Sequence, residues 1–238
     1  MEAMPPLIFA HRGAPEHRRE GNTARAFERA LAAGARGLES DVWLTRDGVP
    51  VMYHPHPWRE PRRVGAKTRA ELADSVLALD ELYARCGVDF DLALDLGGTR
   101  TAARVVEVAR EHGAADRLWL TVFRAQAMAA WRASWPEVHL VHPTMIWPGR
   151  SLDQLCARLR AAGVAALNLH QRQVTRQRVG AAHAAGVLFF AWGARTEGAT
   201  RRVLAQGADG VFTDDLPGLV RVMGGLESRP DGSTTPGT

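Results

Sequence analysis

Short apolar runs of strand length alternate along the chain with longer segments whose apolar positions recur at helical spacing. Eight strands are predicted, at residues 7–10, 37–42, 90–95, 118–122, 138–142, 165–170, 188–192 and 210–213. A helix-length segment separates most neighbours, at 23–33, 102–112, 125–134, 151–162, 174–185 and 197–206. Gly34, Gly113, Gly163, Gly186 and Gly207 each follow such a segment, where a left-handed residue closes a helix. Strand and helix alternating in this way predict a parallel sheet with helices packed on it, and eight repeats predict a (β/α)8 TIM barrel.

One β-type run, 49–53, falls outside that count, because only Arg46, Asp47 and Gly48 separate it from the second strand's extended stretch. Asp-Gly between β-formers predicts a two-residue turn and therefore a β-hairpin extending from strand two. In that register Arg46 pairs with Val49, and counting down the ladder sets His54 opposite Asp41. Residues 1–224 are expected to form one domain. From Gly225 the chain is rich in Gly, Ser, Thr and Pro, so 225–238 is expected to be a disordered tail.

Composition narrows the function. The 238 residues suit a single barrel, which needs about 250. No apolar stretch approaches the ~20 residues of a spanning helix, and the first residues lack a basic-then-apolar leader, so a soluble, cytoplasmic protein is expected, with no stable membrane insertion. Net charge is +4, but the arginines are scattered among acids along the helices, which argues against a nucleic-acid partner. Lys67 is the only lysine and lies in a polar connection, which argues against Schiff-base chemistry. Cys86 and Cys156 have no partner at metal-ligand spacing and read as buried thiols.

Catalytic groups of such barrels gather at the C-terminal ends of strands. There the sequence carries His11 and Arg12 after strand one, Glu39 and Asp41 on strand two, Asp95 on strand three, and His142, His170 and Trp192 later. Glu39 and Asp41 are two apart, so they leave the same face of their strand, and the hairpin register adds His54 to that face. Two carboxylates side by side repel unless a cation joins them. With Asp95 approaching from the neighbouring strand, three sets of hard oxygen ligands suit Mg2+ or Ca2+. Cleaving a phosphodiester needs neutralised phosphoryl charge, a base for the attacking oxygen and an acid for the leaving one. The cation, Arg12 and the two histidines would supply these. Trp58, Trp147 and Trp192 are candidates to line the pocket, His142 and His170 to touch substrate. His17, His56, His112, His139 and His183 read as surface or structural.

The segments Ala10-His11-Arg12-Gly13, Asn22-Thr23 with Ala26-Phe27, Gly37-Leu38-Glu39-Ser40-Asp41-Val42, and Leu44-Thr45-Arg46-Asp47-Gly48-Val49-Pro50-Val51 with His54 resemble the signature of the glycerophosphodiester phosphodiesterase family. A weaker likeness continues through Leu92-Ala93-Leu94-Asp95-Leu96 and Trp192 to Gly207-Ala208-Asp209-Gly210-Val211-Phe212-Thr213-Asp214. The resemblance implies a TIM barrel that hydrolyses glycerophosphodiesters to glycerol 3-phosphate and an alcohol, in lipid and glycerol metabolism. It implies metal binding at Glu39, Asp41 and Asp95, acid–base roles for His11 and His54, and phosphate or substrate contacts at Arg12 and Trp192. Three positions depart from the family pattern: Gly21 stands where a Glu is usual, with Glu20 one earlier; Asp95 is followed by Gly97 rather than a lysine two residues on; and Pro55 replaces an Asp. The expected assignment is His54 as base and His11 as acid, the attacker being water or a neighbouring substrate hydroxyl. Two alternatives stay open: a lysophospholipase D or cyclising phospholipase-like activity on the same barrel, and a degenerate barrel that binds a phosphorylated ligand without turnover.

Overall fold

Period-two alternation in a strand turns one row of side chains to each face, so a closed sheet needs one apolar set for its interior and another for the helices around it. The computed structural model describes residues 5–17, 20–54, 62–96, 98–123, 125–146 and 151–227. In chain order the elements are β1 (Leu7–His11), α1 (Ala24–Ala32), β2 (Gly37–Leu44), β3 (Pro50–Met52), α2 (Arg62–Gly65), α3 (Leu79–Cys86), β4 (Asp91–Leu96), α4 (Thr99–Glu111), β5 (Leu118–Thr121), α5 (Ala125–Ser134), β6 (His139–Thr144), α6 (Leu152–Ala161), β7 (Ala166–His170), α7 (Arg176–Ala184), β8 (Leu188–Ala194), α8 (Glu197–Ala205), β9 (Gly210–Thr213) and α9 (Leu216–Glu227). The strands run β1-β9-β8-β7-β6-β5-β4-β2-β3, and pairing of β1 with β2 closes eight parallel strands into a barrel. β3 pairs antiparallel with β2, outside the ring. The eight predicted strands occur with ends within two residues of expectation.

Loops at the C-terminal ends of the strands lead into capped helices. Thr23, Ser151, Thr175 and Thr196 each accept the backbone N–H three residues on with their own hydroxyl, each worth about 1 kcal/mol. Three helices were not predicted, of which α2 is a single turn of four residues. α3 is only eight residues long, too short for its period to stand out. α9 carries Pro217, Gly218, Gly224 and Gly225, which read as breakers. It forms because Asp215 caps it, accepting from Gly218 N at 2.9 Å, and because Leu219, Val222, Met223 and Leu226 make one apolar stripe against the core. The helix therefore runs two residues past Gly225, the expected start of the tail; residues 228–238 lie outside the described ones.

The hairpin differs from expectation by one residue. Val42 pairs with Met52, Trp43 with Val51 and Leu44 with Pro50, so Thr45 meets Val49 across a three-residue loop of Arg46, Asp47 and Gly48. Gly48 takes φ +81°, the left-handed residue that ends such a loop. Thr45 decides for the longer loop: its hydroxyl donates to Asp47 and accepts from Val49 N. Asp41 consequently faces Tyr53, whose N–H donates to its carbonyl at 3.0 Å.

Most of the core lies between barrel and helices. Inside the barrel Phe9, Ala93, Trp119, Val141, Ala166, Phe190 and Phe212 form a second cluster. Phe9 stacks on Phe212 with centroids 4.8 Å apart, and Trp119 lies 5.1 Å from Phe190. Gly37 and Gly210 make the room: a Cβ there would sit 2.8 Å from the Phe9 ring and 2.6 Å from the Phe190 ring. This aromatic plug is the floor of the cavity above it. Among the described residues no helix is long and apolar enough to cross a membrane.

Candidate active site

Above the floor, interior-facing positions of neighbouring strands bring the acidic residues together. Parallel register aligns His11 with Glu39 and Asp41 with Asp95 across adjacent strands. His11 Nε2 lies 3.7 Å from Glu39 Oε2, and the Arg12 N–H donates to the same oxygen at 3.1 Å. Asp95 accepts a hydrogen bond from Thr121 on the next strand. His11, Glu39 and Asp95 line a cavity of about 930 Å³ at the C-terminal mouth of the barrel.

The loop after β1 is wound tightly to hold this arrangement. Arg12, Ala14 and Asn22 all have positive φ, at 52°, 44° and 62°, conformations that side-chain-bearing residues rarely adopt. Asn22 N donates to Arg12 O, and Asn22 Oδ1 accepts from Ser40 Oγ at 3.0 Å, so the loop is stitched to the outer face of β2. The strain is held by these bonds and fixes where Arg12 leaves the chain. Glu20, the carboxylate nearest the Gly21 departure, is exposed and does not line the cavity.

His54 reaches the site by a route other than the expected one. It is not opposite Asp41 in the ladder, but β3 ends at Met52 and the chain leaves the pleat, bringing His54 Nδ1 to 3.0 Å from Asp41 Oδ2. The juxtaposition is kept while the register behind it is corrected.

Burial makes the acids hard to ionise. Burial pushes Glu39 up, His11 opposes, and Asp95 and Asp41 raise it further, to about 8. Asp95 is likewise raised by burial, against the Thr121 hydrogen bond and with repulsion from Asp41, to about 6. For His11, burial acts downward, yet Glu39 and Asp214 outweigh it and the imidazole pKa is raised. Among the described residues no three His, Cys, Asp or Glu side chains already converge as a closed metal cage. The donor set nonetheless fits a hard divalent cation: besides burial, the charges of Asp95 and Asp41 raise Glu39 and the charge of Asp41 raises Asp95, and a cation relieves that repulsion.

Asp214 was missed in the sequence. Its Oδ1 lies 2.5 Å from His11 Nδ1, its Oδ2 3.6 Å from Arg195 Nε, and it lines the cavity. Burial acts to raise its pKa, but the His11 hydrogen bond and the charges of His11, Arg12 and Arg195 prevail and hold it below the usual carboxylate range. The signal lay in strand alternation: Gly210 and Phe212 face inward, so residue 214 continues that row beyond the strand end. Trp192 and His170 also line the cavity, with ring centroids 4.5 Å apart and the planes edge-on. His142 does not line it and instead pairs its Nδ1 with Val122 O. Trp58, Trp147, His56, Pro55 and Gly97 lie outside the described residues.

Comparison with known proteins fits this geometry. The model of the glycerophosphoryl diester phosphodiesterase family matches residues 11–72 and 92–217. The chain belongs to that family. It is 28% identical over 233 residues to a glycerophosphodiester phosphodiesterase from Bacillus altitudinis, covering 87% of this chain and 94% of that one. A shorter match, 44% identical over 59 residues, covers 25% of this chain and 9% of glycerophosphodiester phosphodiesterase domain-containing protein 4 from Macaca fascicularis, so the chain spans a small part of that relative. Among solved structures, an Oleispira antarctica phosphodiesterase in complex with the product sn-glycerol-3-phosphate superposes with a TM-score of 0.77 at 25% identity, covering 92% of this chain and 96% of that one. The fold and the family are thus those that the first fifty residues resemble.

Proposed function

We propose that this protein hydrolyses glycerophosphodiesters to glycerol 3-phosphate and an alcohol, using Mg2+ or Ca2+ held by Glu39, Asp41 and Asp95. The observation that carries the reading is the pairing of His11 with Glu39 and of His54 with Asp41 on adjoining strands, with His11, Glu39 and Asp95 lining the cavity of this family's barrel. The product held by the Oleispira antarctica relative supports the same substrate class.

Each protein group then has a task. The Arg12 guanidinium, whose buried Nε has no hydrogen-bond partner, takes a non-bridging phosphate oxygen. His54 gives its Nδ1 to Asp41, which leaves Nε2 to accept a proton from the attacking oxygen. His11 is anchored through Nδ1 by Asp214, which fixes the ring so that Nε2 donates to the departing alkoxide. A bound divalent cation supplies positive charge that offsets the charge gathering on the phosphoryl oxygens.

The test is choline release from glycerophosphocholine in Mg2+, in Ca2+ and in a chelator. Release that needs a cation and falls at least a hundredfold in His11→Ala and in His54→Ala is expected. No release with any metal overturns the hydrolase reading in favour of a binding barrel. Faster release from lysophosphatidylcholine would favour the lysophospholipase D alternative.

A further inference from the structure

In the ring of eight strands β7 lies diametrically opposite β2, four strands away in either direction. A substrate with its phosphate at the acid wall on β2 therefore extends its remaining atoms toward β7. The interior positions of β7 are Ala166, Asn168 and His170. Ala166 belongs to the aromatic floor and His170 to the rim beside Trp192. Asn168 sits between them, lines the cavity, is only 8% exposed, and has an amide oxygen with no hydrogen-bond partner. Nothing in the packing asks for an amide there, since Val141 and Ala166 fill the same interior with apolar groups. A buried polar atom without a partner costs stability and is retained where a ligand completes it.

We propose that Asn168 recognises a hydroxyl of the substrate's glycerol moiety, an inference that rests on the glycerophosphodiester reading above. The side-chain amide accepts through its oxygen and donates through its nitrogen, so a hydroxyl, which does both, suits it in either orientation of the amide, whereas a quaternary ammonium has no N–H to give it. Arg172 and Arg195 line the same cavity and disfavour a protonated amine in the same place. A neutral hydroxyl meets both conditions. Phe212 below and Trp192 above offer apolar surface to the carbon skeleton that bears it. Sites that hydrogen-bond a substrate hydroxyl reject analogues lacking it, because the protein group is then left unpaired.

The experiment compares binding of sn-glycerol 3-phosphate and propyl phosphate to the Mg2+-loaded protein by titration calorimetry. The wild-type protein is expected to prefer glycerol 3-phosphate by about tenfold or more. In Asn168→Leu the ratio is expected to fall toward one; Asn168→Ala carries the same comparison if the leucine variant does not fold. An equal or undetectable affinity for the two ligands in the wild type, or an intact preference in both variants, overturns the assignment. Choline release measured on the same samples separates the two readings. An Asn168-dependent preference without turnover refutes hydrolysis and leaves recognition standing, whereas turnover with the preference unchanged in the variants does the reverse.

Discussion

Glu39 and Asp95 hold protons more tightly in the folded chain than in an unfolded one, by burial and then by mutual repulsion with Asp41. For a raised carboxylate the stabilising contribution is complete below the unfolded value and is lost as pH rises through the folded one. Chelator-treated protein should therefore lose stability from about pH 4.5 to about 8 through Glu39, and up to about pH 6 through Asp95. A thermal melt series should show the midpoint falling across that window, and added Mg2+ or Ca2+ should raise it more at pH 8 than at pH 5. Glu39→Gln should abolish most of both effects; an unchanged response to cation in that variant would remove Glu39 from the ligand set. At His11, burial lowers the pKa but Glu39 and Asp214 raise it more. Asp214→Asn removes an anionic partner, so the high-pH limb of kcat/KM should move to lower pH and kcat should fall by roughly tenfold or more. A pH profile superimposable on the wild type would deny Asp214 this role. Glu39, Asp41 and His11 were legible because their positions follow from alternation and a dense local motif. Asp214 was not, because it acts from 203 residues further on and one step beyond a strand.

The hairpin and the strand floor show what an element adds to its residues. Asp47-Gly48 invites a two-residue turn, and only the Thr45 hydroxyl, bonded to Asp47 and Val49, shows why the loop takes three. Thr45→Val keeps the shape and removes those bonds, at an expected cost of about 1–3 kcal/mol in urea unfolding. Loss of activity out of proportion to that cost would indicate that the loop also sets the His54–Asp41 approach. At Gly210 an alanine would gain chain stiffness, worth under about 1 kcal/mol in a strand. Its Cβ would meet the Phe190 ring at 2.6 Å, so overpacking should prevail and destabilise the fold by about 1–3 kcal/mol. Stabilisation of Gly210→Ala would mean that the aromatic plug yields. Helix α9 was hidden by its glycines and proline, since propensity within a segment does not register the surface on which the segment lands.

At the scale of the whole molecule, eight strand–helix repeats were legible because each carries its own period and punctuation. The closure of the ring was not written in any one of them. Closure sets β2 opposite β7, giving a cavity with Glu39, Asp95 and His11 on one side and Asn168, His170 and Trp192 on the other. The floor of stacked aromatics bounds its depth, and the strained turn after β1 holds Arg12 at the junction of β1 and β2. The central claim is that this two-sided mouth cleaves a glycerophosphodiester on the alcohol side of phosphorus. Phosphorus NMR of glycerophosphocholine incubated with the cation-loaded protein tests it most directly. The expected outcome is replacement of the diester signal by that of glycerol 3-phosphate alone. Accumulation of choline phosphate or of a lasting cyclic phosphate, or a diester signal unchanged with every divalent cation, would contradict it.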